Sequence, residues 1–407
     1  MKLKSKSTQD QQGRNFVPYV VLMAGLLFTS VVCYYLSAIG EAEDEARFRG
    51  SVQGINSAIE SRIETYEALL RATAGLYAAS DLVTHQDFKN FVGRLEVRQH
   101  YPGIQGIGFS IRLTPGQKDA LIASMRREGD ANFKIWPEGE RDEYHSIIYL
   151  EPPDRRNQVA IGYDMFSEPV RRAAMEQARD SGQATASRAV TLVQEIDGDQ
   201  RQTGFLVYVP VYRNGSDVSS VAARREALAG FVYSPFRADD FLGQILPAKR
   251  YDDVTFQVYD GPQTESASLL HDSSSISGPL PTGYRPRFIA TTKVKIAGQS
   301  WSLNFASHPA FDLASGNNFV PHALAGGLLI SLLFFGVTQS QMRARGEAEK
   351  AAAGLRESEA TVRKTLADRE RAEEALRESE ERYRELVEDA NDIVYTLDLN
   401  GKMTSVN

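Results

Sequence analysis

Two runs of apolar residues with no Asp, Glu, Lys or Arg, 16–39 and 319–338, stand at either end of a long polar middle segment. Each is long enough to cross a bilayer as a helix, which takes about 20 apolar residues. Just after the first run, Val52, Ile55, Ile59, Ile63, Tyr66, Leu70, Thr73 and Tyr77 recur every three or four positions. That spacing lays one stripe along a helix. It fits a helix packed on its own domain, and equally a stalk that continues from the first run and pairs with a second copy. After Asp87 the period changes. Residues 103–113 and 205–212 read as strands, the latter apolar on both alternating faces as in a strand buried on two sides. Residues 117–128 and 168–180 read as helices, the second ending before Gly182. Further strands are predicted at 228–233, 254–259, 288–296 and 300–306, the last two flanking a short hairpin connection at Ala297-Gly298-Gln299. The polar, small-residue segment 214–226 separates the two groups of strands and reads as a hinge or loop. The pattern predicts an α+β fold with two mixed sheets, each carrying helices on one face.

Charge sets the expected orientation. Lys2, Lys4, Lys6 and Arg14 precede the first run, Glu41, Glu43, Asp44 and Glu45 follow it, and Arg343, Arg345 and Lys350 follow the second. Positive charge near span ends stays in the cytoplasm, which places residues 1–15 inside and about 41–317 outside. A cleaved signal peptide is the rival reading of the first run, with Ala38 and Gly40 as a small-residue cleavage site. Its length exceeds the roughly 7–15 residues of a typical h-region, which favours an uncleaved anchor.

Composition narrows the classes. The net charge of −7 argues against a nucleic-acid surface. The only cysteine, Cys33, lies inside the first apolar run, so the outer segment has no disulfide and relies on its core. Six scattered histidines show no metal-ligand spacing, so neither a metal site nor a cofactor is expected.

Beyond the second run, residues 341–383 are almost wholly Ala, Glu, Arg, Leu, Ser and Lys. Leu355, Val362, Arg369, Leu376 and Tyr383 fall seven apart, with Ser358, Thr365, Ala372, Ser379 and Leu386 on the other seam. This is a parallel coiled-coil pattern with a poor core; a single solvated helix laced with Glu–Arg pairs is the other reading. Residues 384–407, with the strand-like stretch 391–398 and a turn at 399–402, resemble the entry helix and first strand of a PAS domain, cut short by the end of the chain.

The outer segment also resembles a known family. Residues 101–109 (YPGIQGIGF), 141–144 (RDEY), 147–149 (IIY), 162–165 (GYDM), 204–212 (GFLVYVPVY) and 228–232 (LAGFV) match, in order and spacing, the CHASE domain. That domain is the extracellular sensor of plant cytokinin receptors and of many bacterial two-span signalling proteins. The resemblance implies a stalk helix (41–80), a membrane-distal PAS-like subdomain (87–213) and a proximal one (227–310). It also implies a ligand pocket in the distal subdomain. By motif, Asp164 takes the position of the aspartate that receives hydrogen bonds from an adenine-type ring, and Ser187 that of a pocket hydroxyl. Phe109 and Val207, with Ile107, Ile161 and Val190, would supply apolar lining, though the same residues suit an ordinary core. An aspartate after a strand and before a helix is also often a cap. Arg141 and Asp142 lie in a polar run, 138–143, and read as a structural ion pair or solvated loop.

These readings combine into a dimeric inner-membrane receptor with a periplasmic sensor. It would bind a small, planar, partly polar molecule, an adenine-type compound being one candidate, and relay occupancy to a cytoplasmic output. A histidine kinase is the expected output, and a diguanylate cyclase the alternative. No catalytic residue can be named, because no histidine follows His322 and no nucleotide-binding loop occurs. An ectoenzyme would need a nucleophile and base that the outer segment does not offer. An outer domain that binds a protein partner stays open, and predicts an exposed patch in place of a cavity.

Overall fold

The structure, a computed structural model, describes residues 16–196, 202–245, 253–265, 268–274, 278–388 and 395–406. The basic N-terminal segment 1–15 and the strand-like stretch at 391–394 lie outside the described residues.

The apolar run and the stripe behind it form one unbroken helix, Val17–Ala78. The second run opens another, Val320–Glu388. Both are long and apolar enough to cross a membrane. The chain divides into two units, one of residues Leu36–Asn318 and one of the residues on either side.

In the flanking unit the two apolar helices touch through small residues. A Cβ on Gly25 would come 2.6 Å from Ser331 Oγ, and one on Gly327 would come 2.4 Å from Thr29 Cγ2. The Thr29 and Ser331 hydroxyls donate back to the carbonyls of Gly25 and Gly327, at 2.9 and 2.7 Å. Small residues of this kind let membrane helices approach closely where lipid offers no hydrophobic drive. Further along the second helix, Leu355, Val362, Leu376, Tyr383 and Leu386 are all exposed. A short hairpin pairs Tyr395–Leu397 with Met403–Val406.

In the central unit the stripe on the first helix is buried against two sheets. Ile55, Ile59, Ile63, Tyr66 and Leu70 are at most 2% exposed, so along this stretch the stripe serves its own domain. The first sheet is built from β1 (Ile107–Leu113), β2 (Tyr144–Glu151), β3 (Thr185–Ala186), β4 (Val190–Thr191), β5 (Thr203–Tyr212) and β6 (Leu228–Arg237). Its order is β2-β1-β6-β5-β3, with β4 also on β5. The second is built from β7 (Val254–Asp260), β8 (Leu269–Asp272), β9 (Ile289–Ile296) and β10 (Gln299–Ser307), in the order β8-β7-β10-β9. Every pair in both is antiparallel, so the sheets are not mixed. The β9–β10 hairpin turns on Ala297 and Gly298, both at positive φ, as the tightest hairpins require.

The strand at 228–233 does not open the second group. It is β6, which pairs with β5 from Gly204↔Arg237 to Tyr212↔Leu228 and with β1 on its other side. The polar segment 214–226 is therefore an excursion between two neighbouring strands of one sheet, containing the helix Val221–Ala227. Strand β2 carries no alternation because all eight of its residues are buried.

The faces of the first sheet divide cleanly. On β5, Phe205, Val207, Val209 and Val211 belong to the core that also holds the long helix and the second sheet, while Leu206 and Tyr208 belong to a separate core. That second core lies under the helix Pro169–Ser181 and includes Tyr163, Phe166, Phe231 and Tyr233.

A buried aspartate and a layer of unpaired polar groups on the second core

Asp164 sits where the chain leaves the helix Arg155–Ala160 and makes a single 3₁₀ turn, Met165–Ser167. Gly162 makes that path accessible: its φ is +82°, and a Cβ there would lie 2.0 Å from the Lys134 carbonyl oxygen. The strip is laced on both sides. Gly162 N–H donates to Ile147 O (2.8 Å) and Ile147 N–H to Tyr163 O (3.0 Å), while Asp164 N–H donates to Trp136 O (2.7 Å).

The Asp164 side chain is fully buried. Its Oδ1 accepts from the backbone N–H of His145 at 2.8 Å and of Phe166 at 3.1 Å. The second bond caps the 3₁₀ turn. Its Oδ2 lies 3.3 Å from Nη1 of Arg141, so the loop arginine and the buried aspartate are partners. Arg141 is held by Tyr144, whose hydroxyl accepts from Arg141 N–H and donates to Gly139 O, both at 3.0 Å.

His145 lies beside this pair, fully buried, its ring 4.1 Å from Phe166 and 5.2 Å from Phe231. Its Nε2 is 2.7 Å from Glu143 Oε1, and Glu143 Oε2 accepts from Arg112 at 2.8 Å. Burial lowers the His145 pKa, with Glu143 opposing. Glu143 is itself pushed up by burial but held at about 2 by its bonds to His145 and Arg112. The signs agree. A histidine kept neutral in the fold takes up its proton on unfolding, so its contribution is complete above about pH 6.5 and falls as pH drops below that value. A depressed carboxylate loses its contribution as pH falls from about 4.5 toward 2. The denaturation midpoint is therefore expected to drop between pH 7.5 and 5.5, and to drop less in a His145→Gln protein. Equal slopes for the two proteins over that range would refute the assignment.

Deeper in the same core, Tyr208 and Tyr233 are fully buried with ring centroids 6.2 Å apart. Arg171, on the helix Pro169–Ser181, is 2% exposed. It stands 5.0 Å over the Tyr163 ring and donates through Nη2 to Thr191 O. The hydroxyls of Tyr208 and Tyr233, Arg171 Nε, Ser110 Oγ and His145 Nδ1 have no hydrogen-bond partner among the described residues. Leaving one such group unpaired costs about 1–3 kcal/mol, and native cores hold few of them.

Of the four residues expected to form the pocket, only Asp164 borders this layer. Phe109 and Val207 face the opposite side of the sheet, in the core shared with the long helix, where Phe109 stacks 4.1 Å from Tyr77. Successive residues of a strand point to opposite faces, so Val207 and Tyr208 cannot share a pocket. Ser187 has its hydroxyl occupied by backbone: it donates to Arg188 O (2.8 Å) and accepts from Leu206 N–H (3.0 Å). Ile161 and Val190 do pack against the second core. Tyr208, Tyr233, Arg171 and His145 escaped the sequence reading. Tyrosines spaced among the aliphatics of 204–212 and 228–237 were the available sign of a polar face.

Residues 81–271 match the CHASE domain family. Over 211 residues, 47% of this chain, the sequence is 23% identical to a hybrid signal transduction histidine kinase of Dictyostelium discoideum. The chain spans about a tenth of the length of that curated relative. Among solved structures, similarity extends to an extracellular ligand-binding receptor from Desulfohalobium retbaense, with a TM-score of 0.39, 12% identity and coverage of 64% of this chain and 40% of that one. It extends also to the ligand-binding domain of the Pseudomonas aeruginosa amino acid chemoreceptor PctC in complex with GABA, with a TM-score of 0.36, 14% identity and coverage of 68% and 99%. Over residues 81–271 this chain carries a CHASE domain.

Proposed function

We propose that this chain is the sensing part of a membrane receptor, whose CHASE domain binds a small molecule at the second core and passes occupancy through the two long helices. The observation that carries the proposal is a family-matched sensor domain enclosed between two helices able to span a membrane. The charge flanks support a periplasmic domain with the segments beyond both apolar runs in the cytoplasm. The exposed heptad face of the second helix fits a second copy, making the receptor a parallel dimer. The segment from 384 fits the start of a PAS domain. The output joined to it is read as a histidine kinase, in keeping with the curated relative, and a diguanylate cyclase is the second reading.

Asp164 is the residue on which binding turns, because it is a buried carboxylate bordering unpaired polar groups. Planar polar compounds, adenine derivatives among them, are the candidates that the family supplies. The test is thermal unfolding of the full chain in lipid nanodiscs against a small-molecule panel, with Asp164→Asn alongside. Asparagine keeps an oxygen for the two backbone donors and removes the charge facing Arg141. At a hundred times its dissociation constant a ligand adds about 2.7 kcal/mol. An upward shift in wild type that disappears in Asp164→Asn supports the site. A shift that persists moves the site elsewhere, and no shift with any compound favours a protein partner.

A further inference from the structure

We infer that the ligand of the second core carries an oxyanion, a carboxylate or a phosphate, received by Arg171, Tyr208 and Tyr233. The inference rests on the reading of this core as the binding site and goes on to name the ligand's chemistry. Three observations converge on one place. The two tyrosine hydroxyls and Arg171 Nε are buried and lack any hydrogen-bond partner among the described residues. The rings of Tyr208 and Tyr233 neighbour each other at 6.2 Å, and the Arg171 guanidinium stands 5.0 Å over Tyr163, a third tyrosine of the same core. The backbone is cut to fit: a Cβ on Gly108 would fall 2.5 Å from the Tyr233 ring, so only glycine on β1 lets that ring lie across the strand.

What these groups offer is donors. Burial raises both phenol pKa values, so each keeps its proton and can give it to an acceptor. A guanidinium donates and never accepts. Glu168, whose oxygens accept from the N–H groups of Val170 and Arg171 at the helix start, forms an ion pair with Arg171 at 3.9 Å, too long for a hydrogen bond to Nε. Two neutral donors beside a buried cation call for an acceptor that brings negative charge. A neutral ring would satisfy the phenols at best and leave the Arg171 Nε donor without a charged acceptor.

The experiment measures unfolding temperature of the full chain in nanodiscs with acetate, a set of small mono- and dicarboxylic acids, inorganic phosphate, and the neutral amides of the same acids, at matched ionic strength. Tyr208→Phe and Tyr233→Phe are run in parallel. Each deletes a hydroxyl that has no partner among the described residues, so the unliganded variants should melt no lower than wild type. Each should also weaken anion binding about 10- to 100-fold, the worth of one hydrogen bond to a charged group. Stabilisation by acids but not phosphate identifies a carboxylate, and the reverse a phosphate; either supports the proposal when both variants lose it. Stabilisation that survives in both variants overturns it, as does stabilisation by amides alone, which would leave this core a binding site for neutral compounds. No shift with any acid or phosphate, while other compounds stabilise in an Asp164-dependent way, overturns the oxyanion and leaves the receptor reading intact.

Discussion

An Asp44→Ala protein is expected to lose about 3 kcal/mol of the central unit's stability, the low end of the cost of stripping one partner from a buried ion pair. Asp44 is 3% exposed and lies on the first long helix, soon after its apolar run. It accepts from Arg287 Nη1 at 2.7 Å, from Arg47 Nη2 at 3.2 Å and from the Ser315 hydroxyl. Arg47 in turn donates to Phe311 O and Ala314 O and stands 3.9 Å over the Phe311 ring. One carboxylate therefore ties the start of the central unit to the segment that ends it, at 309–315. Removing it leaves Arg287 with Glu41 at 3.7 Å and Arg47 with the two carbonyls, both guanidinium groups about a quarter to a third exposed, and that keeps the estimate low. Arg287→Ala leaves Asp44 to Arg47 and Ser315 and should cost less, and the double variant should cost less than the two single costs added. A coupling energy under about 0.5 kcal/mol in that cycle, the ordinary error of additivity, would sink the idea of a latch.

What the sequence made legible follows from how strongly each feature breaks symmetry. An uncharged run of 24 residues at 16–39 has few readings, and a three-and-four stripe from Val52 to Leu70 has one periodicity. Strand β5 is a different matter. With apolar residues at nearly every position from Phe205 to Val211, its pattern announces burial on both sides and says nothing about which core each side joins. Val207 therefore suits either face on its sequence alone, and the fold puts it in the core shared with the long helix. The aspartate was found through a motif, but its tie to Arg141, 23 positions back, depends on how the loop 138–143 folds over Tyr144. No local spacing encodes that. The polar segment 214–226 misled in the same way, since composition cannot separate a linker from an excursion between paired strands. Pairing of β6 with both β1 and β5 is decided by long-range fit.

The faces matter because a receptor must carry occupancy from one core to the other. Leu206 and Tyr208 face the candidate site, while Phe205 and Val207, one position away, face the long helix. A shift of strand β5 by a fraction of a residue would be felt on both sides at once, since interiors are close-packed and transmit strain. The second core thus has a short route to the helix Val17–Ala78. It passes through side chains, and the side chains can be removed one at a time.

Phe205→Ala is expected to be the most damaging of these, costing about 3–5 kcal/mol through lost burial and the cavity left behind. Phe205 is fully buried and stacks on Phe236 at 4.8 Å, nearly parallel. It meets Trp301 of β10 edge-on at 5.0 Å and Phe241 at 5.5 Å. Phe236 in turn stacks on Tyr66 of the long helix at 5.5 Å. These rings join the first sheet, the second sheet and the helix. Aromatic pairs of this geometry add about 0.5–1.5 kcal/mol each beyond area. Without Phe205, unfolding of the central unit should lose cooperativity, with tryptophan fluorescence, dominated near the joint by Trp301, changing before far-ultraviolet dichroism. Leu206→Ala is the matched control, because it opens a cavity on the other face of the same strand. It should weaken the site and lower stability while keeping the two probes coincident. Coincident transitions in Phe205→Ala, with a loss under about 1.5 kcal/mol, would mean that the two sheets are held together elsewhere and that the rings are packing alone.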